Sequence, residues 1–264
     1  MKNLLTIAGS DSSGGAGIQA DLKTFGALKA YGMSVLTAVT AQNTRGVTGV
    51  ENISPEMVRA QMDAVYADIP VHGTKIGMVS TAAIIEAIGE TLIKWQPVNV
   101  ILDPVMVSKS NHRLLQPQAE KALVKKLLPL ATLVTPNLPE AAVILERGIH
   151  TLEDMEEAAR DIFRMGPGAV LVKGGHYHGD AVDVLFDGDQ VRHISCERIP
   201  GKNTHGTGCT LSSAITVYLA QGESLEQAVR LAKAYVSEGI RQGLSIGGGV
   251  GPLHHYHPMY VSTE

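Results

Sequence analysis

With 264 residues, 44% of them hydrophobic, the chain can bury a large core, and that length is still compatible with one α/β domain. A net charge of −4 offers no basic face for non-specific nucleic-acid binding, although a few local cations and a metal ion could still hold an anionic ligand. Two cysteines, Cys196 and Cys209, without a C-x-x-C pair do not make a structural zinc site.

In chain order, the first apolar run is Leu4 to Ala8. It is too short for a signal peptide or a membrane span and reads as a buried strand, so a soluble cytoplasmic protein with no membrane partner is expected. A Gly/Ser loop follows, then a helical pattern over Ala16 to Ala30. Ser34 to Ala41 reads as a second strand, and Pro55 opens a helix to about Asp68. Gly73 to Met78, Val98 to Leu102, Ala131 to Thr135 and Ala169 to Val172 are further short apolar runs, each followed by helical pattern or a polar loop. Near-continuous apolar strands between helices predict a parallel sheet covered on both faces. One break is expected: Val182 to Phe186 and Val191 to Ser195 form a β-hairpin around an Asp187-Gly188 turn. Two helices close the pattern, with apolar residues at helical spacing from Leu211 to Leu219 and from Leu225 to Val236. With no repeat, linker or low-complexity stretch in view, residues 1–264 read as one domain.

The segment Asn203 to Cys209 (NTHGTGC) is the first candidate for chemistry. Gly206 and Gly208 flank Thr207, and a helix is expected from about Cys209. Glycines let backbone N–H groups turn towards a ligand, and the first N–H groups of a helix are unpaired at the positive end of its dipole. The plainer reading is an ordinary Gly-rich loop capped by Thr207. Gly9 to Gly17 (GSDSSGGAG) contains a formal G-x-G-x-x-A at Gly15, Gly17 and Ala20. It stands about six residues beyond its strand, and Gln42 rather than an acid ends the second strand, which argues against dinucleotide binding. No Lys-Ser/Thr follows Gly14, so it is not a Walker A loop either. It reads as a loop enclosing substrate.

Three strand ends carry polar residues: Asp103; Asn137 and Glu140; and Lys173. Ligands of open α/β sheets bind beyond the carboxyl ends of strands. Asp103 and Glu140 are candidates to hold Mg²⁺, and Lys173 to meet phosphate oxygens. Each alone could be a helix cap or a surface charge. The histidines at 176 and 178, and at 254, 255 and 257, lack supporting carboxylate or Cys spacing for a metal, and the second group reads as a polar tail. Four residues across a glycine turn is poor geometry for a hydrolase pair of His205 and Cys209.

Taken together, AGSDSSGGAGIQADLKTF (Ala8 to Phe25), TAVTAQNT (Thr37 to Thr44), KIGM (Lys75 to Met78), LDPVM (Leu102 to Met106), TPNLPEA (Thr135 to Ala141), VKGGH (Val172 to His176) and HGTGCTLSSAI (His205 to Ile215) are specific. Over nearly its whole length the chain resembles the hydroxymethylpyrimidine/phosphomethylpyrimidine kinases of thiamine biosynthesis, within the ribokinase-like superfamily. The resemblance implies a three-layer α/β/α sandwich with a mostly parallel sheet and no separate lid. It implies ATP with Mg²⁺, a small pyrimidine substrate and a homodimer. It places Gly9, Asp21, Gln42, Met78 and Val105 around the pyrimidine, and Asn137, Lys173, Thr207 and Lys233 around the nucleotide. Backbone groups of Gly206, Thr207, Gly208 and Cys209 would receive the transferring charge. Cys209 stands where related sugar kinases carry an Asp base. A helix N-terminus lowers a thiol pKa and nearby phosphates raise it, and the sequence leaves that balance open. The second transfer, onto a phosphate monoester, needs no base and more cation, from Lys173, Lys233 and Lys202. Close relatives with Cys here also phosphorylate B6 vitamers, so a pyridoxine/pyridoxal kinase is the alternative. A nicotinamide oxidoreductase and a non-catalytic binding module of the same fold are the readings from other classes.

Overall fold

Successive side chains of a strand face opposite sides of a sheet, so a strand apolar at every position must be covered twice. In the computed structural model, which describes residues 1–106, 115, 117–175 and 181–260, this happens throughout the sheet centre. The first half runs β1 (Asn3–Asp11), α1 (Gly17–Ala27), β2 (Tyr31–Asn43), β3 (Gly46–Asn52), α2 (Pro55–Asp68), β4 (Gly73–Ile76), α3 (Ala82–Trp95) and β5 (Val100–Leu102). The second runs α4 (Pro117–Lys126), β6 (Leu133–Val134), α5 (Leu138–Leu145), α6 (Leu152–Phe163), β7 (Val170–Val172), β8 (Ala181–Phe186), β9 (Val191–Cys196), α7 (Thr207–Gln221) and α8 (Leu225–Arg241).

The nine strands lie in the order β3-β2-β1-β4-β5-β6-β7-β8-β9. From β2 to β7 every pairing is parallel, and β3, β8 and β9 add antiparallel edges. Leu5, Ile76, Leu102 and Val134 face the layer of α2 to α6, while their neighbours Leu4, Ile101 and Leu133 face α1, α7 and α8. The sheet order reverses direction between β1 and β4, so the crevice beyond their carboxyl ends is a topological switch point.

The expected three-layer α/β/α sandwich is present. Two local readings need correcting. The parallel pattern breaks twice, because β2 continues to Asn43 and turns through Thr44 and Arg45 into β3. Strand β3 (GVTGVEN) is exposed along most of its length and has no apolar alternation to announce it. The β8–β9 turn spans residues 187–190, with Asp187 Oδ1 accepting N–H bonds from both Asp189 and Gln190, so it is longer than a two-residue Asp-Gly turn.

Helix starts differ in a way that matters for function. Ser54, Thr81 and Ser224 cap α2, α3 and α8 with their hydroxyl oxygens. Asn137 with Glu140, and Thr151 with Asp154, form capping boxes on α5 and α6. Such caps satisfy N–H groups that the helix itself leaves unpaired, each contributing about 1 kcal/mol. Helix α7 has none: its N-cap is Gly206 at φ +80°, and no side chain closes the end.

Candidate active site

The uncapped start of α7 points into a cavity at the carboxyl edge of the sheet, and each strand end contributes to its wall. Gly9, Asp11 and Gly17 come from the β1–α1 loop, and Thr40 and Gln42 from β2. Met78, Asp103, Val105, Asn137, Glu140 and Lys173 come from the ends of β4 to β7, and Gly206 to Cys209 from α7. A second cleft adjoins it, lined by Asp183, Cys196, Ile199, Lys233 and Val236 among others. Asn137, Lys173, Thr207 and Gly208 line both, so the start of α7 forms the partition between them.

Two glycines permit this closeness. A Cβ on Gly206 would lie 1.8 Å from the Gly15 carbonyl oxygen, and a Cβ on Gly15 would lie 2.3 Å from the His205 ring. The helix begins two residues earlier than the sequence suggested, at Thr207. Thr207 is not the cap: its hydroxyl and N–H both turn back to the Thr204 carbonyl, the hydroxyl at 2.6 Å. The N–H groups of Gly208 and Cys209 follow at the helix start.

On the partition, Lys173 Nζ lies 2.7 Å from Asp103 Oδ1, which also accepts the Thr135 hydroxyl at 3.2 Å. Burial works against the Lys173 ammonium, but Asp103 and Glu140 outweigh it and keep it charged. Burial pushes the Glu140 carboxyl up, and the negative charge of Asp103 adds to this. Glu140 Oε2 accepts the Asn137 N–H at 2.8 Å in the capping box and the carboxylate also takes a backbone bond from Met106, which still leaves lone pairs for a ligand. Two carboxylates beside one ammonium leave this buried corner short of positive charge. A Mg²⁺ that keeps most of its waters and uses one or two carboxylates fits that deficit.

Cys209 is where the structure closes an open question. Burial pushes its thiol up to about 11. The Lys75 charge and the Gly17 N–H, which donates to the sulfur, pull the other way and lose, while Asp21 and Asp103 add to the rise. At neutral pH Cys209 is therefore a thiol, and no ready-made thiolate is present.

Asp21, expected against the substrate, is fully buried away from the cavity. Its oxygens accept from Thr6 at 2.6 Å, Ser213 at 2.7 Å and Lys75 at 2.9 Å. It lies within α1 facing α7, and its task is to neutralise Lys75, whose side chain is 0% exposed. Losing either partner of such a pair strands a buried charge. Lys75 was overlooked, although a lysine inside an apolar strand was signal enough. Lys233 lines the second cleft, but its ammonium is held by Asp183 Oδ2 at 2.5 Å, and Lys202 is exposed. Lys233 is therefore not a loose cation, and Lys202 lines neither cleft.

His205 does not approach Cys209 as a base. Its Nε2 lies 2.8 Å from Asp11 Oδ2, and Asp11 also accepts N–H bonds from Ser13, Gly15 and Ala16. Burial pushes the Asp11 carboxyl up, but the hydrogen bonds from His205 and Ser13 outweigh it and hold it at about 2. Sequence reading missed Asp11, because its partner stands 194 positions away. His255 is no tail residue: it is 4% exposed, and its Nε2 lies 3.1 Å from the Thr210 hydroxyl. Burial lowers its pKa to about 3, so it stays neutral. His176 and His178 lie outside the described residues.

Comparison with known proteins adds the chemistry. A family model described as phosphomethylpyrimidine kinase matches residues 11–254. The chain is 54% identical over 257 residues to a hydroxymethylpyrimidine/phosphomethylpyrimidine kinase of Rhizobium meliloti, covering 96% of each. It resembles the crystal structure of phosphomethylpyrimidine kinase from Clostridium difficile with TM-score 0.83 and 50% identity, over 91% of this chain and 100% of that one. It also resembles an ADP complex of Bacillus subtilis pyridoxal kinase, with TM-score 0.92 and 40% identity, over 99% of this chain and all of the other.

Proposed function

The chain belongs to the phosphomethylpyrimidine kinase family, and from that premise we propose that it transfers the γ-phosphoryl of ATP to 4-amino-5-hydroxymethyl-2-methylpyrimidine and then to the monophosphate, in thiamine biosynthesis. The observation that carries this reading is the pair of adjoining clefts with one partition, Asn137, Lys173, Thr207 and Gly208. A nucleotide in the second cleft and a small acceptor in the first meet at that wall. Residues 1–264 act as one kinase domain, as a homodimer in the cytoplasm; no helix among the described residues is long and apolar enough to cross a membrane.

Phosphoryl transfer asks for positioning and charge neutralisation more than for covalent chemistry. Gln42, Met78, Val105 and Gly9 hold the pyrimidine. The N–H groups at the start of α7 and the Lys173 ammonium receive negative charge as it develops on the transferring group. Asn137 orients the phosphates, and Lys233, locked to Asp183, builds the nucleotide wall. Asp103 and Glu140 would hold Mg²⁺, which would supply positive charge against the phosphate oxygens. Cys209, a thiol before reaction, has no site for the hydroxyl proton unless its own leaves at the same moment; it relays, giving its S–H proton to an oxygen of the transferring phosphoryl group as it takes the proton of the acceptor hydroxyl, and so ends as the thiol it began. The monophosphate arrives ionised and needs no such step.

The test is to incubate the protein with Mg·ATP and the hydroxymethylpyrimidine and to look for mono- and diphosphate by mass spectrometry; absence of both refutes the reading. Cys209→Ala is expected to slow the first transfer by roughly 10²-fold in single turnover, the lower end of general acid–base effects, and the second far less. Equal losses would sink the role given to Cys209. The likeness to the Bacillus subtilis pyridoxal kinase favours a second reading, phosphorylation of B6 vitamers, which kcat/KM for pyridoxal against the pyrimidine decides.

A further inference from the structure

The polar side of the acceptor cavity holds a hydrogen-bond conflict with one resolution. Gln42 Nε2 faces His205 Nε2 at 3.4 Å, and Gln42 Oε1 faces the Thr40 hydroxyl at 3.2 Å. The ring nitrogen has a nearer partner in Asp11 Oδ2, at 2.8 Å. An ionised carboxylate only accepts, so His205 Nε2 carries a hydrogen, and in the present orientation the Gln42 amide turns its own hydrogens towards it. The Thr40 hydroxyl has one hydrogen, and the Ser10 carbonyl takes it at 2.8 Å. Gln42 Oε1 therefore faces an oxygen with nothing left to donate. A half-turn of the amide removes both mismatches. The oxygen then takes the minor share of the His205 Nε2 hydrogen, whose nearer acceptor is Asp11 Oδ2, and the NH₂ donates to the Thr40 hydroxyl oxygen; an amide's oxygen and nitrogen are told apart only by such a network.

We propose that His205, clamped by Asp11, is a positioning residue that draws the Gln42 amide oxygen to its own side and so fixes the order in which Gln42 offers an acceptor and a donor to the bound ring. The rest of Gln42 is already held. Its N–H donates to the Ser12 hydroxyl oxygen and its carbonyl accepts from the same hydroxyl, both at 2.8 Å, which joins β2 to the loop that carries Asp11. Gly15 lets the imidazole lie flat on that loop. With one lone pair turned to the hydrogen that His205 shares with Asp11, and one hydrogen given to Thr40, Gln42 keeps one lone pair and one hydrogen side by side. An aminopyrimidine edge, an amine donor next to a ring-nitrogen acceptor, answers both in one direction only. The ring nitrogen of a pyridine stands between two carbons and answers just one. His205 thereby acts on the choice between the two acceptors, which rests on the kinase reading above.

Two measurements test this. In wild-type protein, NMR should show the Gln42 side-chain NH₂ protons close to Thr40 and a proton on His205 Nε2; NH₂ protons close to the His205 ring would overturn the proposal, whatever the protein phosphorylates. In initial-rate kinetics, His205→Leu should raise KM for the hydroxymethylpyrimidine roughly 10- to 100-fold, the worth of one unsatisfied polar contact, with KM for ATP little changed. His205→Gln, whose amide can donate to both Asp11 and Gln42, should restore most of that loss. An unchanged pyrimidine KM in the Leu variant, or equal rises for ATP and pyrimidine, would overturn it. A wild-type protein that does not phosphorylate the pyrimidine at all would fail the kinase reading instead, and the NMR result would still stand.

Discussion

Lys173→Met is expected to slow both phosphoryl transfers by roughly 10²- to 10³-fold in single turnover, the scale on which one preorganised charge-stabilising donor acts. The reason is position. Lys173 lines both clefts, and its ammonium is 2.7 Å from Asp103 Oδ1, so with the nucleotide and acceptor placed as proposed it stands where a phosphoryl group passes whichever acceptor waits. This separates it from Cys209, whose loss bears on the hydroxyl acceptor alone. The same substitution removes the cation that compensates Asp103 and Glu140. Breaking a buried pair by deleting one partner costs about 3–5 kcal/mol, although here either carboxylate can relieve part of that by taking up a proton. The variant should therefore melt at lower denaturant concentration, with the deficit shrinking as pH falls. A rate loss confined to one transfer would show that Lys173 serves an acceptor rather than the transferring group.

Gly206→Ala is expected to be among the most damaging single methyl groups that could be added to the chain's active-site loops. Two costs add. A residue with a Cβ at φ +80° is strained by roughly 1–3 kcal/mol, and the new carbon would sit 1.8 Å from the Gly15 carbonyl oxygen, so backbone must move. Because the loop that yields carries Asp11, and the helix start that yields carries the N–H groups of Gly208 and Cys209, acceptor binding and charge stabilisation fail together. Binding of ATP and of pyrimidine, measured separately by calorimetry, should both weaken by more than about tenfold. A variant that binds either ligand normally would show that the loop contact is dispensable.

How much of this could be read from sequence depended on the range over which each signal acts. The parallel strands were legible because burial on both faces forces continuous apolar runs, and strand ends such as Asp103 and Lys173 then fell at the right edge of the sheet. The start of α7 was legible because glycines around Thr207 have few other uses. Strand β3 was not, since an exposed edge strand is under no pressure to alternate. Asp21 was assigned to the substrate through its neighbours in a loop-to-helix motif, whereas one turn into α1 a side chain already faces α7 and not the cavity. The thiol of Cys209 could not be settled from its neighbours either. What decides it is burial by the surrounding elements, and that exists only after folding.

The bond between Asp11 and His205, separated by 194 positions, has a counterpart in Asp21 and Ser213, 192 apart, and in Thr44 and Gly249, 205 apart. The wall of the acceptor cavity and the packing around it are thus stitched from segments far apart in the chain. During synthesis, the strands that carry Gln42, Met78 and Asp103 emerge long before α7 exists to roof them. Loop-closure entropy must be met before such distant contacts return anything, which makes this a slow topology. Ligand affinity consequently arrives last and all at once. A polypeptide released before Thr207 leaves one face of its sheet without α7 and α8 and should neither bind nor consume ATP, and added nucleotide should slow the undocking of α7 in the full chain without speeding its docking.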